Sequence, residues 1–170
     1  MVGAGLEEVY AGQYRRLVAL VTAVIGSRVE AEDAVQEAFV RGLGLFKRRV
    51  ALTDPEAWLY RVAVNVARSR WRRSAMGRRL AAGLAEETDA DVSAHARVDS
   101  RLVLLAALQQ LPFEQREVLV LHYLADLPVA EVASRVGAPL GTVKARLSRG
   151  RDALARLLDR DVTREDGRHA

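Results

Sequence analysis

PVAEVASRVGAPLGTVKARLSRGR, residues 128–151, carries the reading of the fold. Val129, Val132, Ala133 and Val136 recur at helical spacing and give a first short helix one apolar stripe. Gly137 then breaks the pattern, as a residue that can turn left-handed at no steric cost. Pro139 suits the first turn of a second helix, where its missing N–H would be unpaired in any case. In that second helix Val143, Leu147, Gly150, Leu154 and Leu157 share one face. Lys144, Arg146, Arg149 and Arg151 fall outside it, and no acid appears before Asp152. Two short helices, a small-residue turn, an apolar back and a basic front make a helix-turn-helix suited to a DNA major groove. The competing reading is an ordinary helical hairpin with a solvated charged face. Spacing, turn and one-signed charge agree on the DNA reader.

Composition agrees with helices around that element. The chain has 170 residues, half of them apolar and only 5% aromatic, with Ala, Val, Leu and Arg prominent. An all-α protein is expected, as two small helical domains of which the C-terminal one holds the helix-turn-helix. There is no cysteine, which excludes disulfides and thiolate metal sites. His95, His122 and His169 are scattered, so no metal and no cofactor is expected. The start lacks a basic stretch followed by an apolar run, and no apolar run is long enough to span a bilayer. No membrane insertion and a cytoplasmic location follow as expectations.

Net charge is only +4, but its distribution is uneven. Residues 57–85 hold no acid and include Arg61, Arg68, Arg70, Arg72, Arg73, Arg78 and Arg79. Two basic segments in one small protein suggest two contacts with a polyanion. A membrane surface competes for the first of them.

Outward from these segments the chain reads as a series of helices. Residues 6–25 are apolar at helical spacing and end at Gly26. Residues 30–46 form a second helix, with Ala31, Ala34, Val35, Ala38, Phe39 and Leu43 as its buried stripe. Glu30, Glu32 and Asp33 sit near its start, where carboxylates favour the helix dipole. Asp33, Gln36, Glu37 and Val40 form a strip beside the apolar one, which either faces solvent or docks a partner helix. After a short basic loop, Asp54 caps a third helix and Pro55 opens it. That helix runs to about Arg73, burying Leu59, Val62, Ala63 and Val66 and interleaving Trp58, Tyr60 and Trp71 with arginines. Rings among arginines suit single-stranded bases, because rings stack on base faces while arginines follow phosphates. Trp71 reads as a partly exposed core residue, and Trp58 fits a core anchor or a surface role equally. Residues 74–99 lose periodicity and read as a linker, with a helical turn at 78–84. Residues 101–111 and 114–124 are helices backing the helix-turn-helix, the second burying Val118, Leu119, Leu121 and Leu124. The polar tail after Leu158 is expected to fray. The domains are therefore 1–73, a linker 74–99, 100–160 and a tail 161–170.

With both halves read, the chain resembles the sigma factors of bacterial RNA polymerase, of the sigma-70 type, in the compact extracytoplasmic-function (ECF) group. EAEDAVQEAFVRGL (30–43) followed by DPEAWLYRVAVNVARSRWRR (54–73) looks like region two of that family. LPFEQREVLVLHYLADLPVAEVASRVGAPLGTVKARLSRGRDAL (111–154) looks like region four. The resemblance implies a promoter-specificity subunit without chemistry of its own, partnered by core RNA polymerase and promoter DNA. Asp33, Gln36, Glu37 and Val40 would dock on the clamp coiled coil of the polymerase, and the C-terminal half on its flap. The loop at 47–54 would hold a flipped base of the −10 element. Trp58 and Asn65 would lie at the upstream edge of the bubble, with Arg61, Arg68 and Arg72 on the backbone. Thr142, Lys144, Arg146, Arg149 and Arg151 match the positions that contact the −35 element. An anti-sigma partner covering the polymerase-binding surface is a further implication. The pattern departs at Pro128, where the family commonly has a Ser three residues before Glu131, so a hydroxyl cap is lost. GLGLF after the second helix is also unusual, and Ala145 and Ser148 replace larger side chains.

Two other classes stay in view. A stand-alone helix-turn-helix regulator would usually dimerise across two half-sites, and no dimer seam is visible, so a monomer is expected when free. A helical interaction module would leave its arginines merely solvated. An enzyme is not expected: there is no histidine–acid motif, glycine-rich phosphate loop or metal cluster.

Overall fold

The computed structural model describes residues 4–48, 50–81 and 96–166. Those residues form seven α-helices and one π-helical turn, with no strand among them. The helices are α1 (Ala4–Ile25), α2 (Arg28–Lys47), α3 (Pro55–Ala81), α4 (Ala96–Gln109), α5 (Phe113–Leu119), α6 (Val129–Val136) and α7 (Leu140–Asp166). The π-helical turn, Val120–Leu124, continues α5 directly. The all-α expectation holds.

Local chemistry sets most boundaries. The Ser27 hydroxyl accepts from the Glu30 N–H at 3.3 Å near the start of α2. The Asp54 carboxylate accepts from the Ala57 N–H at 2.9 Å, the N-cap expected ahead of Pro55. At the end of α2 the Arg48 N–H reaches the Leu45 carbonyl at 3.0 Å and the Val50 N–H reaches it at 3.1 Å, so GLGLF remains helical and closes on its own carbonyls. Gly137 ends α6 at φ +65°, in the left-handed region that its missing side chain permits.

Three boundaries differ from the sequence reading. α3 passes Arg73 and runs to Ala81, and α7 passes Leu158 and runs to Asp166. Polar residues and one glycine lower propensity only modestly, and extending a formed helix needs no new nucleus. α4 begins at Ala96, five residues before Arg101. The rest of the supposed linker, 82–95, lies outside the described residues, as do 167–170.

Leu17, Val21 and Val24 of α1 pack with Ala31, Val35 and Ala38 of α2 and with Leu59, Ala63 and Val66 of α3. Alanines on the inner face of α2 allow the three helices to approach closely. In the other half Leu108, Leu111, Val118, Leu121, Val132, Val143 and Leu147 are buried. At Gly150 an added Cβ would fall 2.9 Å from Leu119 Cδ1, so α7 lies close against α5. The two groups join in one apolar cluster.

Polar contacts reinforce that joint. Gly26 has φ +87°, and a Cβ there would fall 2.6 Å from Gln109 Oε1. The space lets Gln109 Nε2 donate to the Ala23 carbonyl at 2.8 Å. Arg16 Nη2 donates to the Ala125 carbonyl at 3.0 Å across the same junction. Leu43 and Leu124, expected to be buried, are exposed. For Leu124 the reason is the π turn: its wider hydrogen bonds, such as Ala125 N–H to the Val120 carbonyl at 3.1 Å, shift the register of the residues within it. Tyr123 and Leu124 both face outward as a result.

Pro128 precedes α6 at φ −56° and ψ 147°, and no side chain caps that helix. A serine at this N-cap would add about 1 kcal/mol through its hydroxyl. Removing the proline would return about 0.4–1 kcal/mol of conformational entropy to the unfolded chain. We therefore expect Pro128→Ser to be near neutral, with calorimetric Tm within about 2 °C of the wild type. A gain of several degrees would show that the missing hydroxyl outweighs the fixed backbone.

Candidate nucleic-acid interface

Two helix faces hold the basic residues singled out in the sequence. On α3, Trp58, Arg61, Asn65, Arg68 and Arg72 fall within an arc of roughly 80° at about 100° per residue. Arg61, Asn65 and Arg72 are exposed. Trp58 is partly buried and packs against the core. Tyr60 is only 1% exposed, so its ring is a core element and no base can stack on it. The side chain of Trp71 lies outside the described residues.

On α7 the basic front divides in two. Val143, Leu147 and Gly150 are buried, and Leu154 and Leu157 are partly so. Thr142, Arg146 and Arg149 lie on one flank of that stripe. Lys144 and Arg151 lie on the other, about half a turn away. Between the flanks Gly141, Ala145 and Ser148 leave the outermost face of the helix low. A helix with a low ridge and cations on both shoulders suits a groove walled by phosphates. Thr142, Lys144, Arg149 and Arg151 are exposed. Arg146 is only partly exposed, and its charge acts inward on Glu114 and Glu117 of α5. Arg151 Nη1 donates to the Tyr123 hydroxyl at 3.3 Å, and this contact raises its already high pKa.

The strip on α2 is a separate surface. Asp33, Gln36 and Val40 are exposed, and Val40 is 66% exposed although it is apolar. Exposed Leu43 lies one turn beyond it. Gln36 Nε2 donates to the Tyr14 hydroxyl at 3.5 Å. Glu37 is bridged by Arg41 on its own helix and by Arg70 of α3, so its carboxylate already ties α2 to α3.

The packing of the halves brings together groups that the sequence reading did not connect. A cleft of about 200 Å³ separates α3 from the start of α5 and the α6 turn. Arg61, Asn65 and Arg68 line one wall, and Phe113, Glu117, Val136 and Gly137 line the other. Arg68 Nη2 donates to Glu114 at 3.0 Å, and its guanidinium lies 4.3 Å from the centre of the Phe113 ring. The Tyr60 hydroxyl donates to Glu117 at 3.4 Å. Arg135, 9% exposed, faces Glu56 at the start of α3 at 3.8 Å. Burial pushes the Glu117 carboxyl up to about 7 and the Tyr60 phenol well above its usual value. The Glu114 carboxyl is held below its usual range by its own backbone N–H and by the Arg68 charge. Glu117 closes the polar run Glu114–Glu117 just ahead of the apolar Val118–Leu121, so nothing local in the sequence set it apart or named its partner.

Among the described residues no group of acids and histidines is arranged to hold a metal ion. Among them, too, no helix is long and apolar enough to cross a membrane.

Comparison with known proteins matches both halves. Residues 9–76 fit the family profile of sigma-70 region 2, and residues 101–154 fit that of sigma-70 region 4. The chain is 34% identical over 125 residues to the probable RNA polymerase sigma-C factor of Mycobacterium bovis, covering 73% of this chain and 68% of that one. It is 32% identical over 147 residues to the ECF RNA polymerase sigma factor SigW of Bacillus subtilis, covering 79% of each. In fold it is similar to the sigma factor RpoE of Bartonella quintana, solved with the anti-sigma factor NepR. That match has a TM-score of 0.75 and 24% identity, over 90% of this chain and 96% of that one.

Proposed function

The chain belongs to the sigma-70 family of RNA polymerase sigma factors, in its ECF group, and from that premise we propose how its named residues divide the work of promoter recognition. The protein is a sigma subunit: it binds core RNA polymerase and promoter DNA and directs initiation. It carries out no chemistry itself, and the polymerase supplies the catalytic centre. It works in the cytoplasm, where that polymerase is.

Residues 1–73 form the clamp-binding and −10 domain, and residues 100–160 the −35 domain, joined through 74–99. Asp33, Gln36, Glu37 and Val40 dock on the clamp coiled coil. The exposed apolar Val40 amid polar neighbours supports this, because such a residue gains by burial against a partner. Arg61, Arg68 and Arg72 hold the backbone of the −10 strand while Trp58 and Asn65 meet the upstream edge of the bubble. Thr142, Lys144, Arg146, Arg149 and Arg151 address the −35 duplex, with the flap of the polymerase behind them. An anti-sigma factor is a fitting regulator, since the similar RpoE was solved with one.

The observation that carries this reading is the pairing of two basic helix faces, on α3 and α7, in a chain that matches both sigma regions. One face suits single strands and the other suits a duplex groove. Run-off transcription with core polymerase, followed by mapping of start sites, tests it. Initiation at a defined promoter class is expected. Binding of duplex DNA by the free chain as a dimer, without core polymerase and without initiation, would favour a stand-alone regulator instead.

A further inference from the structure

Tyr123 faces solvent where an unbroken α-helix would bury it. In α-helical register it would fall one turn beyond buried Leu119, on the side that packs into the core. The π turn Val120–Leu124 changes that register, and Tyr123 is 53% exposed. Widened turns of this kind are rare and recur at functional sites. The exposed ring is nonetheless held. It meets the His122 ring edge to face, with centroids 4.7 Å apart and planes at 69°. His122 is itself fixed, because its Nδ1 donates to the Leu127 carbonyl at 2.8 Å.

What the held ring presents is a hydroxyl beside α7. Arg151 Nη1 donates to it at 3.3 Å, across 28 residues of sequence. Arg151 is exposed and stands about two helical turns beyond Lys144 on the same flank of α7. An arginine at an exposed helix position samples many rotamers, and ordering it on a ligand consumes part of the binding energy. One hydroxyl acceptor ties one nitrogen and leaves the other guanidinium donors free. Those donors suit a phosphate, which a guanidinium binds through two parallel hydrogen bonds. A neutral hydroxyl, unlike a carboxylate, also leaves the positive charge of Arg151 available to that phosphate.

We propose that Tyr123 is a positioning residue for the −35 contact: its hydroxyl holds the Arg151 guanidinium on the flank of α7, ready for a phosphate of the duplex backbone. The assignment rests on the reading of α7 as the −35 helix. The π turn is then the device that delivers the hydroxyl to a distant helix, and the stack on His122 keeps it there. The contact carries no sequence information and complements the exposed cations nearer the groove floor. Lys144 and Arg149 choose the site, and Arg151 fixes the helix against the backbone.

The test uses the full chain bound to core polymerase and a duplex promoter fragment at which run-off transcription shows initiation. Fluorescence anisotropy of the labelled fragment reads affinity over a range of salt. Tyr123→Phe keeps the ring and its stack and removes only the hydroxyl. It should weaken binding about 3- to 10-fold with an unchanged salt slope. Arg151→Ala should weaken binding further and lower the slope by about 0.9. In the Arg151→Ala background Tyr123→Phe should cost nothing more, because a positioning residue acts only through the group it holds. The Tyr123→Phe loss should be equal on fragments that differ at single −35 positions. In the free chain, NMR relaxation of the Arg151 Nε should show an ordered side chain in the wild type and a mobile one in Tyr123→Phe. A loss under threefold for Tyr123→Phe, an equal loss with and without Arg151, or an Arg151 side chain equally mobile in both chains overturns the assignment. A loss confined to some −35 sequences overturns it too, because Arg151 would then meet a base edge. A wild type that initiates nowhere with core polymerase defeats the promoter reading itself. A wild type that initiates, with Tyr123→Phe binding as tightly, defeats the positioning role alone.

Discussion

Replacing Lys144 and Arg149 together by alanine is expected to abolish selective initiation while leaving the fold intact. Both side chains are exposed on α7, so no packing is lost. They lie on opposite flanks of the helix, so on the proposed −35 surface they would meet different base pairs or opposite strands. A bidentate cation–base contact discriminates by about 1–3 kcal/mol, or roughly 5- to 150-fold per residue. Two sites without a shared partner add, so the double variant should lose about 2–6 kcal/mol at its preferred promoter.

The measurement is initiation across a panel of promoters varied at single −35 positions, at fixed salt. Each single variant should flatten the preference at its own position and leave the other untouched. The alternative outcome is uniform weakening across the panel, with the salt slope falling by about 0.9 per lost cation. That result would assign the side chain to phosphate and move the reading of sequence elsewhere. Thr142 and Ser148 would then be the next residues to vary, because Ser148 lies on the low ridge and Thr142 on the flank beside it.

Much of this layout was legible locally. Asp54 and Pro55 announce the start of α3, and Gly137 announces the end of α6, because caps and left-handed turns depend on a few adjacent residues. The face of α3 holding Arg61, Asn65, Arg68 and Arg72 follows from helical spacing alone. What was not legible depends on distant packing. Arg68 and Glu114 are 46 residues apart, and nothing in either segment names the other. Tyr60 reads among arginines as a candidate for stacking, yet its ring belongs to the buried core and only its hydroxyl reaches Glu117 of α5. Leu124 was misplaced because a π turn leaves no simple mark in the sequence. The roles of Lys144 and Arg149 came from resemblance, whereas their separation onto two flanks came from the helix geometry of α7.

Val40→Asp should abolish binding to core polymerase without unfolding the chain. Val40 is 66% exposed, so the change costs the fold no core contact, and the propensity difference in a helix is only tenths of a kcal/mol. Tm should shift by less than about 2 °C. On the proposed docking surface the same change has two additive costs. Burial of the valine, worth about 1.5 kcal/mol or more, is lost. A carboxylate is also placed against the partner without a counter-ion, at a cost of about 2 kcal/mol or more. Their sum corresponds to a loss of at least 100-fold in affinity. Glu37 is a poorer probe, because Arg41 and Arg70 both bridge it and its replacement would also loosen α2 from α3. Fluorescence anisotropy of the labelled chain against core polymerase reads the affinity, and circular dichroism reads the fold. If Val40→Asp binds core like the wild type, α2 does not dock through this strip, and exposed Leu43, Tyr123 and Leu124 become the surfaces to test. If it binds at least 100-fold more weakly with an unchanged melting curve, the exposed valine is an anchor: it costs the free chain little, and its burial against the polymerase is what holds the two together.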